Sequence, residues 1–195
     1  MKECLFYANP QTCADMLFFT GFNAPDPFLA FSCRGKKIAL LSPLEVNRAR
    51  KGGYFHTVYS HADVVQALGQ SKASLAEKIL YLAAQHRISH FRVPENFPCK
   101  LFEALKSQGL SLTIEDDPFF KERQYKSSTQ QADLAEANRI TASAIDRVYQ
   151  ILKAAEVVGD RIYYHNRPLT CEFLQQQIAL CCLEAGAIAQ HSIVA

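Results

Sequence analysis

The chain has 195 residues, of which 49% are hydrophobic and 21% charged, and its 21 basic and 19 acidic side chains leave a net charge of +2. This length suits one large domain, or one domain plus part of another, and it allows a sizeable buried core. The near balance of charge argues against a polyanionic partner such as nucleic acid. No apolar run approaches the length of a membrane span or of a signal-peptide core, so we expect a cytoplasmic protein that contacts no membrane.

Seven cysteines occur at scattered positions, and none of them belongs to a Cys-x-x-Cys pair. An odd number without regular spacing indicates neither a disulfide framework nor a zinc ribbon. Buried free thiols in a reducing compartment are therefore the expected state, which agrees with a cytoplasmic location.

The first 120 residues alternate short strand patterns with helix patterns. Strands are predicted at residues 4–8, 28–33, 36–42, 56–60, 88–93 and 110–114, and helices at 42–53, 74–86 and 99–109. Arg34-Gly35 predicts a tight hairpin between the second and third strands. Ser42 and Glu45 predict a capping box at the start of the first helix. The pattern indicates an α/β domain with a mixed sheet of about six strands flanked by helices.

The second part of the chain has a different pattern. A polar connector leads into a long predicted helix at residues 128–158, with Ser127 or Ser128 as its N-cap. A further helix is predicted at residues 171–185, followed by an apolar strand in "GAIAQHSIVA". Two helices and the first part of one strand do not close a domain, so we expect this second domain to be incomplete.

Motifs of common catalytic sites are absent from the sequence. The chain has no G-x-G-x-x-G, no P-loop and no G-x-S-x-G. His86 and His90 have the spacing of helical zinc ligands, but they straddle the predicted end of a helix and the start of a strand. The acidic run 115–117 before Pro118 is interpreted as a turn rather than a cation site. Composition and spacing alone therefore indicate no catalytic constellation.

Two stretches resemble a known family. The first is "ADMLFFTGFNAPDPFLAF" (14–31) followed by "GKKIALLSPLEVNRARK" (35–51), which is similar to the N-terminal domain of the creatinase, prolidase and Xaa-Pro aminopeptidase family. The second is "ERQYKSSTQQADLAEANRITASAI" (122–145) followed by residues 169–195, which resembles the family's linker and the opening helices of its catalytic "pita-bread" domain. Gln130-Gln131 depart from the acidic and aliphatic pair that is usual there.

The resemblance implies a domain organisation and a reaction. Residues 1–121 would be the N-terminal domain, and residues 122–195 the linker helix and the first elements of a truncated pita-bread domain. The reaction would be proline-specific peptide hydrolysis by two bridged divalent cations, Mn, Co or Zn, held by two Asp, one His and two Glu. In the family all five ligands follow the strand that "HSIVA" begins. We therefore assign no metal ligand or catalytic residue in this chain and expect it to be inactive alone.

Site residues follow from the same resemblance. The family's N-terminal domain mediates dimer or higher assembly and often projects a loop towards a neighbouring active site. The matching, substrate-proximal or inter-subunit positions are Asp15, Phe18, Phe19, Thr20, Gly21 and Phe22. A purely structural role competes, in which Gly21 allows a tight turn and the phenylalanines belong to the core.

Three functions stay open from the sequence. The first is the N-terminal part of a Xaa-Pro peptidase, forming a homodimer or higher oligomer around a peptide substrate. The second is a non-catalytic dimerisation or peptide-binding module derived from the same family. The third is an unrelated α/β enzyme with a loop-built site among Asp15, Asp26 and His61. We also expect the terminal strand to be disordered or paired with another copy of the chain.

Overall fold

The computed structural model describes residues 3–194 of the chain. They divide into two compact units, and the boundary falls between Gln124 and Tyr125.

The first unit is built on a mixed β-sheet. Its strands are β1 (Leu5–Ala8), β2 (Phe28–Cys33), β3 (Lys36–Leu41), β4 (Thr57–Ser60), β5 (His90–Pro94) and β6 (Ser111–Glu115). β1, β2 and β3 pair antiparallel, while β4 runs parallel to β3 and β6 parallel to β5. A parallel bridge between Cys4 and Arg92 joins the two groups of strands. The six predicted strands are thus confirmed, as is the hairpin at Arg34-Gly35, which β2 and β3 flank with Cys33 opposite Lys36.

Five helices cover this sheet. They are α1 (Ala14–Thr20), α2 (Pro43–Lys51), α3 (His61–Ala67), α4 (Leu75–His86) and α5 (Cys99–Ser107). A single 3₁₀ turn, Lys121–Gln124, ends the unit. The predicted capping box at Ser42 is wrong: Ser42 is the N-cap of α2, but its side chain accepts no hydrogen bond there. Glu45 instead accepts a hydrogen bond from the Arg48 guanidinium (Nε to Oε2, 2.8 Å).

The sequence patterns did not predict α1 and α3. Each has only seven residues, too few for a helical period of apolar side chains to stand out. Tertiary contacts and caps stabilise such short helices. The Ser60 hydroxyl at the start of α3 accepts a hydrogen bond from Ala62 N–H at 3.1 Å, and Asp63 completes the capping box.

Side chains that alternate along the central strands form two separate hydrophobic clusters. Leu5, Phe31 and Leu40 belong to the cluster with α4 and α5. Phe6 and Ala39 point the other way, into the cluster with α1 and α2. Because successive strand residues face opposite sides of a sheet, this sheet is covered on both faces. That explains why the central strands β1 and β2 are nearly continuous apolar runs instead of alternating with polar residues.

The second unit contains two helices and a small sheet. Its elements are α6 (Ser128–Lys153), β7 (Glu156–Val158), β8 (Arg161–Tyr164), β9 (Arg167–Pro168) and α7 (Cys171–Glu184). Ser127 caps α6 and forms a capping box with Gln130, as one of the two predicted alternatives states. Thr170 caps α7, and its hydroxyl accepts a hydrogen bond from Phe173 N–H at 3.3 Å.

The long helix ends five residues earlier than predicted. Residues 156–158 are a strand, because Val157 and Val158 pair with β8 instead of continuing the helical face. Gly159 has a φ of 64° and lies in the turn of this hairpin. His165 and Asn166, with φ of 50° and 60°, form the second turn, between β8 and β9.

The predicted C-terminal strand is not present among the described residues: residues 187–194 form neither strand nor helix. Ala187 and Ala189 instead pack against the small cluster of Ile140, Ala144 and Cys182 on α6 and α7. A β-rich sequence without a neighbouring strand has no partner for its backbone groups, so propensity alone does not make it a strand. Its pairing with another copy of the chain stays a prediction, and Ala195 lies outside the described residues.

Candidate functional site

The candidate site residues lie in and directly after α1. Asp15 is in the first turn of this helix, where the helix dipole favours a carboxylate. Its side chain is only 5% exposed. One carboxylate oxygen accepts the backbone N–H of Phe119, the other accepts that of Phe120, and both distances are 3.2 Å. Asp15 therefore ties α1 to a segment more than one hundred residues later in the chain.

Arg123 completes the surroundings of the Asp15 carboxylate. Its Nε donates to Asp15 Oδ1 at 3.0 Å, and its Nη2 donates to Asp117 Oδ1 at 3.2 Å. The peptide bond between Asp117 and Pro118 is cis. A buried carboxylate that accepts two backbone N–H groups and a guanidinium is well satisfied, so this arrangement is a structural clamp between α1 and residues 117–123.

Phe18 and Phe19 are adjacent in sequence but differ in their surroundings. Phe19 is buried and stacks against Phe6 and Phe120, with ring centroids 5.6 and 5.8 Å away. Phe18 is 39% exposed, and its ring centroid lies 5.5 Å from that of Phe120, with the two rings tilted by 40°. Leu17 beside it is also exposed. Of the two phenylalanines, only Phe18 presents apolar surface that another molecule can contact.

The Thr20-Gly21-Phe22 stretch ends α1. The Thr20 hydroxyl is buried, donates to Met16 C=O at 2.8 Å and accepts from Phe22 N–H at 3.2 Å. Gly21 has a φ of 65°, and its N–H bonds to Leu17 C=O, which is the left-handed helix stop that favours glycine. Phe22 is fully buried, and the Arg48 guanidinium lies 4.1 Å above the centre of its ring.

The structure therefore brings the six predicted residues together at one helix. Five of them serve the core, the turn or the clamp described above, as the structural reading of the sequence expects. Phe18 is the member whose side chain is free for a further role. The assignment of these residues as substrate-proximal or inter-subunit stays a prediction.

The acidic residues at the end of β6 surround a very small cavity. Glu115, Asp116 and Asp117 line it together with Asp15 and Glu95, and its volume is about 20 Å³. Within residues 3–194, no group of three or more His, Cys, Asp or Glu side chains is arranged to hold a metal ion. The two divalent cations implied by the family resemblance thus have no matching ligand set in the described part of the chain.

Two histidines considered as metal ligands line a different cavity. His86 at the end of α4 and His90 at the start of β5 both face a polar cavity of about 270 Å³, together with Arg34 and Arg87. Sequence spacing linked the two histidines but not the two arginines. The arginines come together only because the β2–β3 hairpin and the end of α4 meet at the same edge of the unit.

The remaining sequence expectations can be compared directly with the structure. None of the seven cysteines forms a disulfide, and Cys4, Cys13, Cys33 and Cys182 are buried as expected. The expectation of buried thiols is wrong for Cys99 and Cys171, which are exposed. Asp26 lies in the loop before β2, and His61 is the first residue of α3. His61 contacts Lys78, with 3.3 Å between Nδ1 and Nζ. Burial lowers the pKa of His61, and the nearby Lys78 charge lowers it further.

Among the described residues, no helix is both long and apolar enough to cross a membrane.

Comparisons with known proteins give matches to solved structures. No protein-family profile and no curated protein sequence matches the chain. An X-Pro aminopeptidase from Thermotoga maritima MSB8 superposes with a TM-score of 0.70 and 12% identity, over 95% of this chain and 47% of that one. A Xaa-Pro dipeptidase from Bacillus anthracis superposes with a TM-score of 0.69 and 10% identity, over 92% of this chain and 43% of that one. A prolidase from Pyrococcus furiosus superposes with a TM-score of 0.63 and 10% identity, over 95% of this chain and 46% of that one.

These matches concern the fold, since identities of 10–12% do not carry activity from one protein to another. The chain spans less than half the length of each of the three structures. At the level of the fold, they confirm the resemblance to the N-terminal domain of the creatinase, prolidase and Xaa-Pro aminopeptidase family.

Proposed function

We propose that this chain is the N-terminal portion of a dinuclear-metal Xaa-Pro aminopeptidase or dipeptidase, an enzyme that hydrolyses peptides at proline. Residues 1–121 act as its N-terminal domain, and residues 122–195 as the linker helix and first elements of its pita-bread domain. The observation that carries the proposal is the match of 95% of the chain to 47% of an X-Pro aminopeptidase structure.

The proposal places the metal chemistry outside the described residues. Two divalent ions, Mn, Co or Zn, would polarise the scissile carbonyl in the whole enzyme and supply its hydroxide nucleophile. Residues 3–194 offer no side-chain group arranged to hold a metal ion. The chain by itself is therefore expected to hydrolyse no Xaa-Pro bond, and its own residues contribute assembly and substrate positioning.

Homodimer assembly through the first unit is part of this proposal. Its support is the exposed apolar pair of Leu17 and Phe18 at the end of α1, beside residues held by the Asp15 clamp. A rigidly held, partly exposed phenylalanine is a suitable anchor for another protein surface. We assign Phe18 an inter-subunit role and the buried Phe19 a core role.

An activity comparison tests the proposed function. The 195-residue chain and the product of its complete reading frame are each assayed for hydrolysis of an Xaa-Pro dipeptide with added Mn²⁺ or Co²⁺. We expect no turnover by the chain, and turnover by the full product that a chelator abolishes. Turnover by the 195-residue chain would contradict the placement of the ligands, and a folded, metal-loaded full product without activity would contradict the reaction.

A variant pair tests the assembly role separately. Phe18→Ala in the full product should shift the dimer towards monomer in sedimentation velocity, with a loss of stability of only about 1 kcal/mol because the ring is partly exposed. Leu44→Ala is the matched control, since Leu44 is 90% exposed on α2 and should affect neither. An unchanged sedimentation coefficient for Phe18→Ala would remove this residue from the proposed interface.

The alternative is a non-catalytic dimerisation or peptide-binding module with the same fold. The observation in its favour is an apolar groove of about 400 Å³ between α6, α7 and residues 187–193, lined by side chains such as Ile140, Ile145 and Ile178. A reading frame that stops after codon 195 would favour this alternative. A frame that continues with Asp, His and Glu ligands would favour the peptidase.

A further inference from the structure

A polar cavity at one edge of the first unit has no residue of α1 or of the Asp15 clamp in its lining. It has a volume of about 270 Å³ and is formed where the β2–β3 hairpin meets the end of α4 and the start of β5. The polar side chains that line it are Glu3, Arg34, His86, Arg87, Ser89 and His90. Neither the proposed peptidase activity nor the proposed dimer contact uses any of them.

The carboxylate and both imidazoles of this cavity already have hydrogen-bonding neighbours in the protein. Glu3 accepts one hydrogen bond from the Ser32 hydroxyl at 2.6 Å and another from Arg34 N–H at 2.7 Å, using one carboxylate oxygen for each. His86 Nε2 lies 3.1 Å from the Tyr59 hydroxyl. His90 Nε2 lies 2.8 Å from the Thr113 hydroxyl.

The two arginine side chains are the exception. Within residues 3–194, the guanidinium groups of Arg34 and Arg87 take part in no salt bridge and no side-chain hydrogen bond. Both side chains are exposed at the cavity. Two guanidinium cations thus share one concave site with a single carboxylate that other donors already hold, so the site has donors available for an anion.

The end of helix α4 does not counteract this charge. Carbonyl oxygens at a helix C-terminus carry partial negative charge that repels anions. Here Ala83 C=O accepts Ile88 N–H at 2.8 Å, and Ala84 C=O accepts Arg87 N–H at 3.1 Å. These carbonyls therefore have partners of their own, which weakens their influence on the cavity.

Both arginines occupy backbone positions where another residue is more stable. Arg34 has a φ of 51° and precedes Gly35 in a two-residue hairpin turn, a place that favours Asn-Gly or Gly-Gly. Arg87 has a φ of 57° at the C-cap of α4, a place that favours glycine. The helix dipole explains a cation at Arg87, but no such effect acts on Arg34. Two strained arginines at one cavity indicate that their side chains have a role there.

We propose that this cavity is a binding site for a small phosphate-type oxyanion, held between the guanidinium groups of Arg34 and Arg87. A guanidinium presents its N–H donors in a planar fork that matches two oxygens of a phosphate group. Ser89 also lines the cavity, and its hydroxyl is a further donor in this proposal. The volume lies below the usual range for drug-sized ligands, about 300–1,000 Å³, so a phosphate or pyrophosphate group fits better than a large ligand.

Calorimetric titration of the 195-residue chain tests the site directly. The probes are inorganic phosphate and pyrophosphate, with sodium chloride at matched ionic strength as the blank and acetate as a planar carboxylate. We expect saturable binding at one site, strongest for pyrophosphate, and a rise in melting temperature with each phosphate probe. Absence of saturable binding would overturn the proposal, and tighter binding of acetate than of phosphate would overturn the ligand class.

Two variants separate an anion site from a structural role. Arg34→Asn and Arg87→Gly insert residues that suit the left-handed backbone, so the variants should fold and melt at or above the parent temperature without ligand. Each should lower the affinity for pyrophosphate about tenfold, as expected for one lost charged contact. Arg161→Gln, an exposed arginine on β8, is the control for loss of one positive charge and should bind like the parent.

The opposite results would exclude the site. Unchanged affinity in the double variant Arg34→Asn/Arg87→Gly would show that the guanidinium groups do not hold the anion. Equal weakening by Arg161→Gln would show that only net charge matters. These measurements use no peptidase activity, so the anion site and the proposed function stand or fall independently.

Discussion

The two units of the chain differ in how completely they bury their own apolar side chains. The first unit places two large clusters on the two faces of its sheet, with Phe6, Phe22 and Phe31 fully buried. The cluster found in the second unit has just Ile140, Ala144 and Cys182 at its centre. Among the described residues, twelve of the seventeen exposed large hydrophobic side chains belong to the second unit.

This difference indicates different sources of stability. Burial of apolar surface is the main favourable term in folding, and the first unit has enough of it to fold as a domain of its own. The second unit leaves Ile145, Leu183 and Ile193 in contact with solvent, each more than 60% exposed. Surface of this kind is typical of an interaction site, and it supports both the peptidase proposal and the alternative module.

The largest expected effect is in the core of the first unit. Phe6→Ala should lower the free energy of unfolding by about 3–5 kcal/mol, because Phe6 is fully buried against the rings of Phe19, Phe119 and Phe120. Urea unfolding followed by far-UV circular dichroism measures the change. Phe18→Ala is the control and should cost about 1 kcal/mol, because that ring keeps part of its surface in water. Equal costs would contradict the assignment of Phe6 to the core and Phe18 to the surface.

The clamp at Asp15 should come next. Asp15→Asn replaces a carboxylate that accepts two backbone N–H groups and Arg123, and it should cost about 2–3 kcal/mol. Partial exposure of Arg123 keeps the loss below that of a fully buried pair. Asp117 is another partner of Arg123, and its side chain is 61% exposed. Asp117→Asn should therefore cost under about 0.5 kcal/mol. Thermal unfolding compares the two, and a larger loss for Asp117→Asn would contradict the clamp.

A core substitution in the second unit measures how far its small cluster stabilises it. Ile140→Ala should cost about 2 kcal/mol, the lower end for such a truncation, since few buried side chains surround Ile140. Amide hydrogen exchange followed by mass spectrometry should show reduced protection of the backbone amides in α6 and α7, with protection in α4 and β5 unchanged. Ile145 is 64% exposed on the same helix, so Ile145→Ala should change the free energy of opening measured by exchange by under about 0.5 kcal/mol. Loss of protection in α4 and β5 would show that the two units unfold together.

The smallest effects concern one helix cap in each unit. Ser127→Ala removes the cap of α6 and should cost about 1 kcal/mol, seen as faster exchange in the first turn of α6. The equivalent cap of α4 pairs Ser74 with Glu77 in place of a glutamine. Its hydrogen bonds with the Ser74 side chain and backbone lower the pKa of Glu77.

The Glu77 carboxyl makes one cap sensitive to pH and leaves the other insensitive. Because its pKa is lower in the folded state, its contribution is complete above the ordinary range of glutamate and is lost as pH falls through the lowered pKa. Glu77→Gln should therefore destabilise α4 slightly at neutral pH and have no effect in acid, as measured by unfolding at both pH values. Gln130 does not ionise, so the α6 cap should keep its strength. A difference between parent and Glu77→Gln that persists in acid would contradict this.

Local patterns were sufficient for most of the first unit. β1 and β2 are nearly continuous apolar runs, and β6 alternates polar with apolar residues. In the second unit, Ser127 is a cap that depends only on the next three residues. Patterns failed where distant contacts decide. Residues 14–20 are a helix because α1 is held by the clamp and the core, and Val157 and Val158 leave the helical pattern because β8 offers them a strand partner.

The candidate site shows the same division. Gly21 as a turn and the phenylalanines near it as core were predictable from residue type, since a left-handed backbone and a large apolar ring each have few places in a fold. That Asp15 binds the 119–123 segment, and that Phe18 rather than Phe19 is exposed, depends on residues a hundred positions away.

The sequence by itself determined the α/β class, the strands of the sheet, the cap at Ser127 and the resemblance to the peptidase family, because these depend on neighbouring residues and on ordered motifs. Only the tertiary structure decided that Arg34 and Arg87 share a cavity, that Ala187 and Ala189 pack on helices while residues 187–194 form no strand, and that Asp15 is a clamp. The physical reason is that burial, hydrogen-bond partners and electrostatic surroundings come from contacts between distant segments, which no local pattern contains.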